Sequence, residues 1–269
     1  MTLLTEPTRI VLAKGWDLSG FDADAAAYIQ RVEWADTTPL EAATRTAINS
    51  FVVGCKADGI WTAIKASCLL AGARTLSGAL MPLTGAAPTN NNFVSGDYNR
   101  KTGLVGDGTS KYLNSNRANN ADPQNNAHLA TFISTISSGI TTYIGTSQSI
   151  GGTSAILRNA NAGLILQTRG VDDSIPTVNS HLTTGFKGAT RSNSTQMTRR
   201  FNNGTEIVTY NSTATNANNY FVFTLNTGAG TFGFSTGRIA FYSIGEALDL
   251  ALLDTRVTTL INAFAAAIP

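Results

Sequence analysis

Apolar positions along this chain repeat with two different periods. From Asp22 to about Gly72 they fall three and four residues apart, as on the buried stripe of a helix. Asp22 or Asp24 is placed to cap a first helix carrying Ala25, Tyr28, Ile29 and Val32 on one side. Pro39 stands where a second helix would open, with Ala43, Ala47, Ile48, Phe51 and Val52 on its apolar face. After an interruption from Gly54 to Gly59, the spacing of Ile60, Trp61, Ile64, Cys68 and Leu69 predicts a third helical stretch ended by Gly72.

From Leu76 onward the period is two. Strands are expected at 110–114, 129–136, 141–146, 153–158, 163–168, 182–192, 196–201, 205–210, 220–225, 230–234 and 237–243, between turns rich in Gly, Asn and Ser. Asn202-Asn203-Gly204 is a hairpin signal, because these residues tolerate the positive φ of a tight turn. The Asn-rich run at 119–126 reads as a surface loop. Many short strands without intervening helices indicate a mainly β, antiparallel sandwich or barrel. The last strand, from Arg238, turns at Gly245-Glu246 into a closing helix with Leu253, Val257, Leu260 and Phe264 on one stripe. The chain therefore divides into an extended arm (1–20), a helical section (21–75) and a β domain (76–269) that includes the closing helix at 248–266. The arm contains one short apolar run, Ile10-Val11-Leu12, suited to adding a strand or docking on a neighbour.

Composition narrows the function classes. The 269 residues carry a net charge of +2, and the charged fraction of 13% is about half the usual ~25%. Lys and Arg never run longer than Arg100-Lys101 or Arg199-Arg200, so the basic stripe of a nucleic-acid binder is missing. No signal peptide is expected, since residues 1–20 lack a basic region followed by an apolar one. The tail AFAAAIP is too short to span a bilayer, so membrane insertion is not expected. Cys55 and Cys68, placed by the helical reading on one continuous helix, would be too far apart to pair. Buried free thiols fit assembly in a reducing cytoplasm.

Three stretches carry a family resemblance: GIWTAIKASCLLAGA, TGLVGDGTSKYLNS and GRIAFYSIGEALDLALLDTRVTTL. Through Trp61, Gly103 to Thr109, Tyr112, Arg238 and Ile244-Gly245-Glu246, in that order, the chain resembles a group of tailed-bacteriophage virion proteins with a concanavalin A-like, laminin-G-like domain. The resemblance covers residues 55–265. It implies an antiparallel jelly-roll β-sandwich, carried on the virion in a tail, baseplate or surface appendage.

Glycan-cleaving enzymes on this fold need paired carboxylates, often from alternate positions of one strand. No such string occurs here. Asp172-Asp173 lie in the loop-like VDDSIP, Glu206 follows a hairpin turn, and Glu246 starts the closing helix, where it suits the helix dipole. His128 and His181 begin strands and belong to no recognisable triad motif. Asp97, Asp107 and Asp122 are the only plausible calcium donors, and Gly106-Asp107-Gly108 reads as a tight turn. No catalytic, cofactor or metal residue is assigned, and the expectation is a non-enzymatic chain.

Sugar binding usually shows exposed aromatics beside Asn, Asp or Gln. Trp16, Trp34 and Trp61 fall outside the strands, which leaves Tyr112, Tyr143, Tyr210, Tyr220 and Tyr242, several of them core by alternation. The expectation is a virion structural component, assembled in the host cytoplasm, with host-surface glycan as candidate ligand. Other virion proteins and further copies of the chain, as a trimer or ring, are the expected partners. Two rival readings are a capsid decoration or cement protein and a polysaccharide depolymerase on the same fold.

Overall fold

The structure, a computed structural model, describes residues 18–148, 153–158, 163–170 and 183–269. The arm up to Asp17 lies outside the described residues.

Asp22 caps α1 (Ala23–Asp36) by accepting the Asp24 N–H, as the sequence suggests. The second helix, α2 (Ala42–Ala57), begins three residues beyond Pro39, with Glu41 at its N-cap. A short α3 (Leu76–Ala79) and the closing α4 (Leu250–Ala267) complete the helices among the described residues. Asp249 caps α4 by accepting the Ala251 and Leu252 N–H groups.

The strands in chain order are β1 (Ile64–Leu69), β2 (Pro82–Thr84), β3 (Thr89–Asn91), β4 (Tyr98–Asn99), β5 (Gly103–Val105), β6 (Tyr112–Ala118), β7 (Ala127–Thr135), β8 (Thr141–Thr146) and β9 (Thr153–Arg158). They continue as β10 (Leu164–Gly170), β11 (Gly185–Arg191), β12 (Gln196–Phe201), β13 (Gly204–Thr209), β14 (Asn219–Val222), β15 (Leu225–Asn226), β16 (Thr231–Phe232) and β17 (Arg238–Gly245). Two sheets form. The first runs β13-β12-β11-β7-β17-β1-β2, with β5 and β4 attached at β17; the second runs β10-β9-β8-β14-β6-β3, with β15 and β16 at β8. Among the described residues all pairs are antiparallel except β15 on β8. Asn202 and Asn203 take φ of 48° and 59° in the turn joining β12 to β13, the conformation the hairpin signal required.

Two cores make three layers. Leu113, Leu129, Ile144, Leu166, Val222, Tyr242 and Ile244 fill the space between the sheets. On the other side of the first sheet, Ala130, Phe186 and Phe241 meet α1, α2 and α4 through residues such as Ile29, Val52, Leu253 and Phe264. Phe51 of α2 and Phe241 of β17 stack edge to face at 6.2 Å. The chain is a jelly-roll β-sandwich with helices laid on one sheet. By length and composition Leu250–Ala267 is apolar enough to cross a membrane, yet Leu253, Val257, Leu260 and Phe264 are all buried against the protein.

One expected element is different. The stretch predicted as a third helix is a three-residue 3-10 turn, Trp61–Ala63, followed by β1, which lies between β17 and β2. Ala66, Cys68 and Leu70 face the inter-sheet core, whereas Ile64, Leu69 and Ala71 face the helices. A strand buried on both faces gives a continuous apolar run, in which helical spacing appears by coincidence. Cys55 therefore sits on α2 and Cys68 on β1; both are buried free thiols.

Candidate functional site

The register of β6 and β14 sorts their side chains. Val222 opposes Leu113 and both point into the inter-sheet core, while Phe221 opposes Asn114 on the other face. Tyr112, two residues from Asn114, shares that outer face. Its ring lies 4.7 Å from the ring of Phe221 and 6.3 Å from that of Phe234. All three aromatics are half-buried, and Phe232, two residues from Phe234, is 51% exposed.

β3 adds a polar border. Asn91 pairs with Tyr112, and the exposed Thr89 pairs with Asn114. Asn114 Oδ1 accepts the Asn116 N–H at 2.9 Å, and Asn91 Nδ2 donates to the Thr89 carbonyl at 3.3 Å, which holds both amides in place. Aromatic faces next to oriented amides and a hydroxyl can stack on the C–H face of a sugar ring and bond its hydroxyls. An accessible aromatic cluster of this kind marks an interaction surface. Of the tyrosines weighed from sequence, Tyr143, Tyr220 and Tyr242 are core, whereas Tyr112 is half-buried, packing against the edge of that core while its ring meets Phe221 and Phe234. The phenylalanines were not foreseen; alternation does not single them out, because Phe223, two residues on from Phe221, is buried in the inter-sheet core.

The carboxylates singled out from sequence are not brought together. Asp172, Asp173, His181 and Trp16 lie outside the described residues. Glu206, on the edge strand β13, reaches the buried Arg199 at 3.5 Å. Glu246 meets Lys65 at 3.3 Å. Asp97 pairs with Lys111 at 2.6 Å, and Asp122 is held by both arms of Arg117. Among the described residues no three His, Cys, Asp or Glu side chains converge as metal ligands. Trp34 is exposed on α1, and Trp61 Nε1 donates to Asp24 at 3.1 Å.

Asp107 explains the Gly-Asp-Gly turn. Its Oδ1 accepts the N–H groups of Thr109, Ser110 and Lys111 at 2.8–3.0 Å, and its Oδ2 accepts the Ser110 hydroxyl at 2.7 Å. Burial pushes this carboxyl upward, but the donors outweigh it and hold it well below the usual carboxylate range. Gly103 has a φ of +96°, and a Cβ there would stand 2.1 Å from the Ile239 carbonyl oxygen. Gly103→Ala is expected to cost more than about 1 kcal/mol in urea unfolding, through both strain and the clash with β17. Arg238 donates to the Gly103 carbonyl from the other side of this junction.

Other charged groups are absorbed by the fold. His128 is fully buried, with Nδ1 against the Glu246 carbonyl (2.5 Å) and Nε2 against Ser243 Oγ (2.7 Å). Burial pulls the imidazole down to about 4, so it is neutral at pH 7. Neutral His128 donates from Nδ1 and accepts at Nε2. Arg169 and Arg191 are also fully buried; Arg169 donates to the Asp122 carbonyl at 3.0 Å, and Arg191 to those of Thr168 and Tyr210 at 3.1 and 2.8 Å. Near a cavity of about 400 Å³ under α4, burial brings the Lys187 amine down to about 8, and its Nζ donates to Asn202 Oδ1 at 3.0 Å. Asp254 in that cavity is paired with Arg200 at 2.8 Å.

No family model matches the chain, and no curated protein matches it. Solved structures do. A mutant of Trypanosoma rangeli sialidase displaying trans-sialidase activity aligns with 81% of this chain and 39% of its own, at 11% identity and a TM-score of 0.51. The binding domain of botulinum neurotoxin serotype D aligns with 73% of this chain and 50% of its own, at 12% identity and a TM-score of 0.48. The chain thus spans well under two thirds of either matched structure.

At these identities the likeness is one of fold. It agrees with the jelly-roll expectation and corrects another. The chain was expected to be non-enzymatic, but the structure aligned at a TM-score of 0.51 is an enzyme, so this fold is no ground for excluding catalysis. The matched structures named here are not virion proteins.

Proposed function

We propose that this chain is a carbohydrate-binding β-sandwich belonging to a bacteriophage tail, baseplate or surface appendage, and that its ligand is glycan on the host surface. The observation that carries the binding reading is the cluster of Tyr112, Phe221 and Phe234, extended by the exposed Phe232 and bordered by Thr89, Asn91 and Asn114. The virion setting is supported by the ordered match of Trp61, the Gly103–Thr109 turn, Tyr112, Arg238 and Ile244–Glu246 to the phage group. Association with further copies and with other virion proteins belongs to the same reading.

Titrating the protein with oligosaccharides from host-surface polysaccharide, followed by NMR, tests it. Phe232→Ala is expected to weaken binding at least tenfold, about 1.4 kcal/mol, with little change in the melting temperature, because half of that residue is in solvent. Binding that is unchanged in both Phe232→Ala and Tyr112→Ala, or absent across host glycans, would remove the proposal. Immunogold labelling of particles tests the virion setting separately, with label on the tail the expected result and label on the capsid or none the contrary one.

A further inference from the structure

The helical layer has an apolar groove on its side away from the first sheet. It lies between α2 and α4, holds about 510 Å³, and has Ala47, Phe51, Leu260 and Ala263 among its lining residues, with Thr46, Ser50 and Thr259 exposed along it. The alanines leave open space that larger side chains would fill, so the groove is shaped to receive apolar groups.

We propose that the occupant is the chain's own arm, with Ile10-Val11-Leu12 lying in the groove. Three observations favour this segment. The triplet is the only run of three large aliphatic residues in the seventeen that precede Leu18. The chain enters the described structure right beside α2: Leu18 is buried in the helical core, the Asp22 N–H donates to Asn49 Oδ1 at 2.8 Å, and Lys56 Nζ meets Asp22 at 2.7 Å. Ser50, the neighbour of Asn49, lines the groove. The reach also suffices. From Leu18 back to Leu12 an extended chain covers about 20 Å, whereas crossing one helix takes about 10–12 Å.

Cysteine pairs in the full chain test this, since Cys55 and Cys68 are buried. Ile10→Cys, Val11→Cys and Leu12→Cys are each combined with Ala47→Cys and mildly oxidised. At least one pair is expected to form a disulfide within a single chain, at monomer mass on a non-reducing gel. Parallel pairs with Ile207→Cys, on the exposed edge strand β13, ask whether the arm adds a strand there instead. Bonds joining two chains would give the groove to a second copy, and bonds to position 207 would give the arm to the sheet edge; either overturns the proposal, as does no bond at position 47. A second readout avoids disulfide geometry. Ser50→Cys is expected to react with iodoacetamide several-fold faster when Val11→Asp is added, and an unchanged rate would count against docking.

Discussion

Replacing Phe264 by Ala is expected to destabilise the protein by about 3–5 kcal/mol, the range for removing a buried aromatic. Phe264 is wholly buried, and its ring lies so close to Gly72 that a Cβ there would stand 2.7 Å from Cζ. Gly72 follows β1, so this one side chain ties the closing helix to the connection leaving a central strand. No smaller residue fills the space, and the backbone at Gly72, with φ +96° and its N–H bonded to the Arg100 carbonyl at 2.8 Å, is poorly placed to collapse inward. Leu260→Ala on the same stripe is expected to cost about 2–5 kcal/mol. Urea unfolding with an unchanged m-value measures both. A loss under about 1 kcal/mol at Phe264 would mean that α4 is not part of the core.

The second large effect is acid lability centred on His128. Burial lowers its folded pKa to about 4, against an ordinary value of 6.5. As pH falls below 6.5 the unfolded chain takes up a proton at this site while the folded protein does not, so stability declines with falling pH. The decline is steepest between about 6.5 and 4 and amounts to roughly 3 kcal/mol. Below the folded pKa both states are protonated and this contribution stops changing. Asp107, Asp22 and Glu41, whose carboxyls are held below their ordinary range, extend the loss at lower pH. Stability measured from pH 8 to 4 should therefore show a slope between 6.5 and 4 that His128→Gln flattens. An equal slope in the variant would place the acid sensitivity elsewhere.

Much of the fold was legible because each signal was local. The Asn202-Asn203-Gly204 turn, the Asp22 cap and the strands over 141–146, 153–158 and 196–201 follow from turn chemistry and short-range alternation. β1 was not legible, since both its faces are buried and its spacing fits a helix equally well. The aromatic patch was half legible. Tyr112 stood out, but its contact with Phe221 exists only because β6 and β14, far apart in sequence, pair in one register.

The sequence by itself determined where many of the later strands begin and end and that Asp107 turns the chain, because these depend on residues within a few positions of each other. Tertiary structure alone decided that the helices and the sandwich share a core, that Ile64–Leu69 is a strand between β17 and β2, and which aromatics gather on the outer face of the second sheet. Sheet pairing and face-to-face burial depend on contacts between distant residues, and no local period records which partner a face will meet.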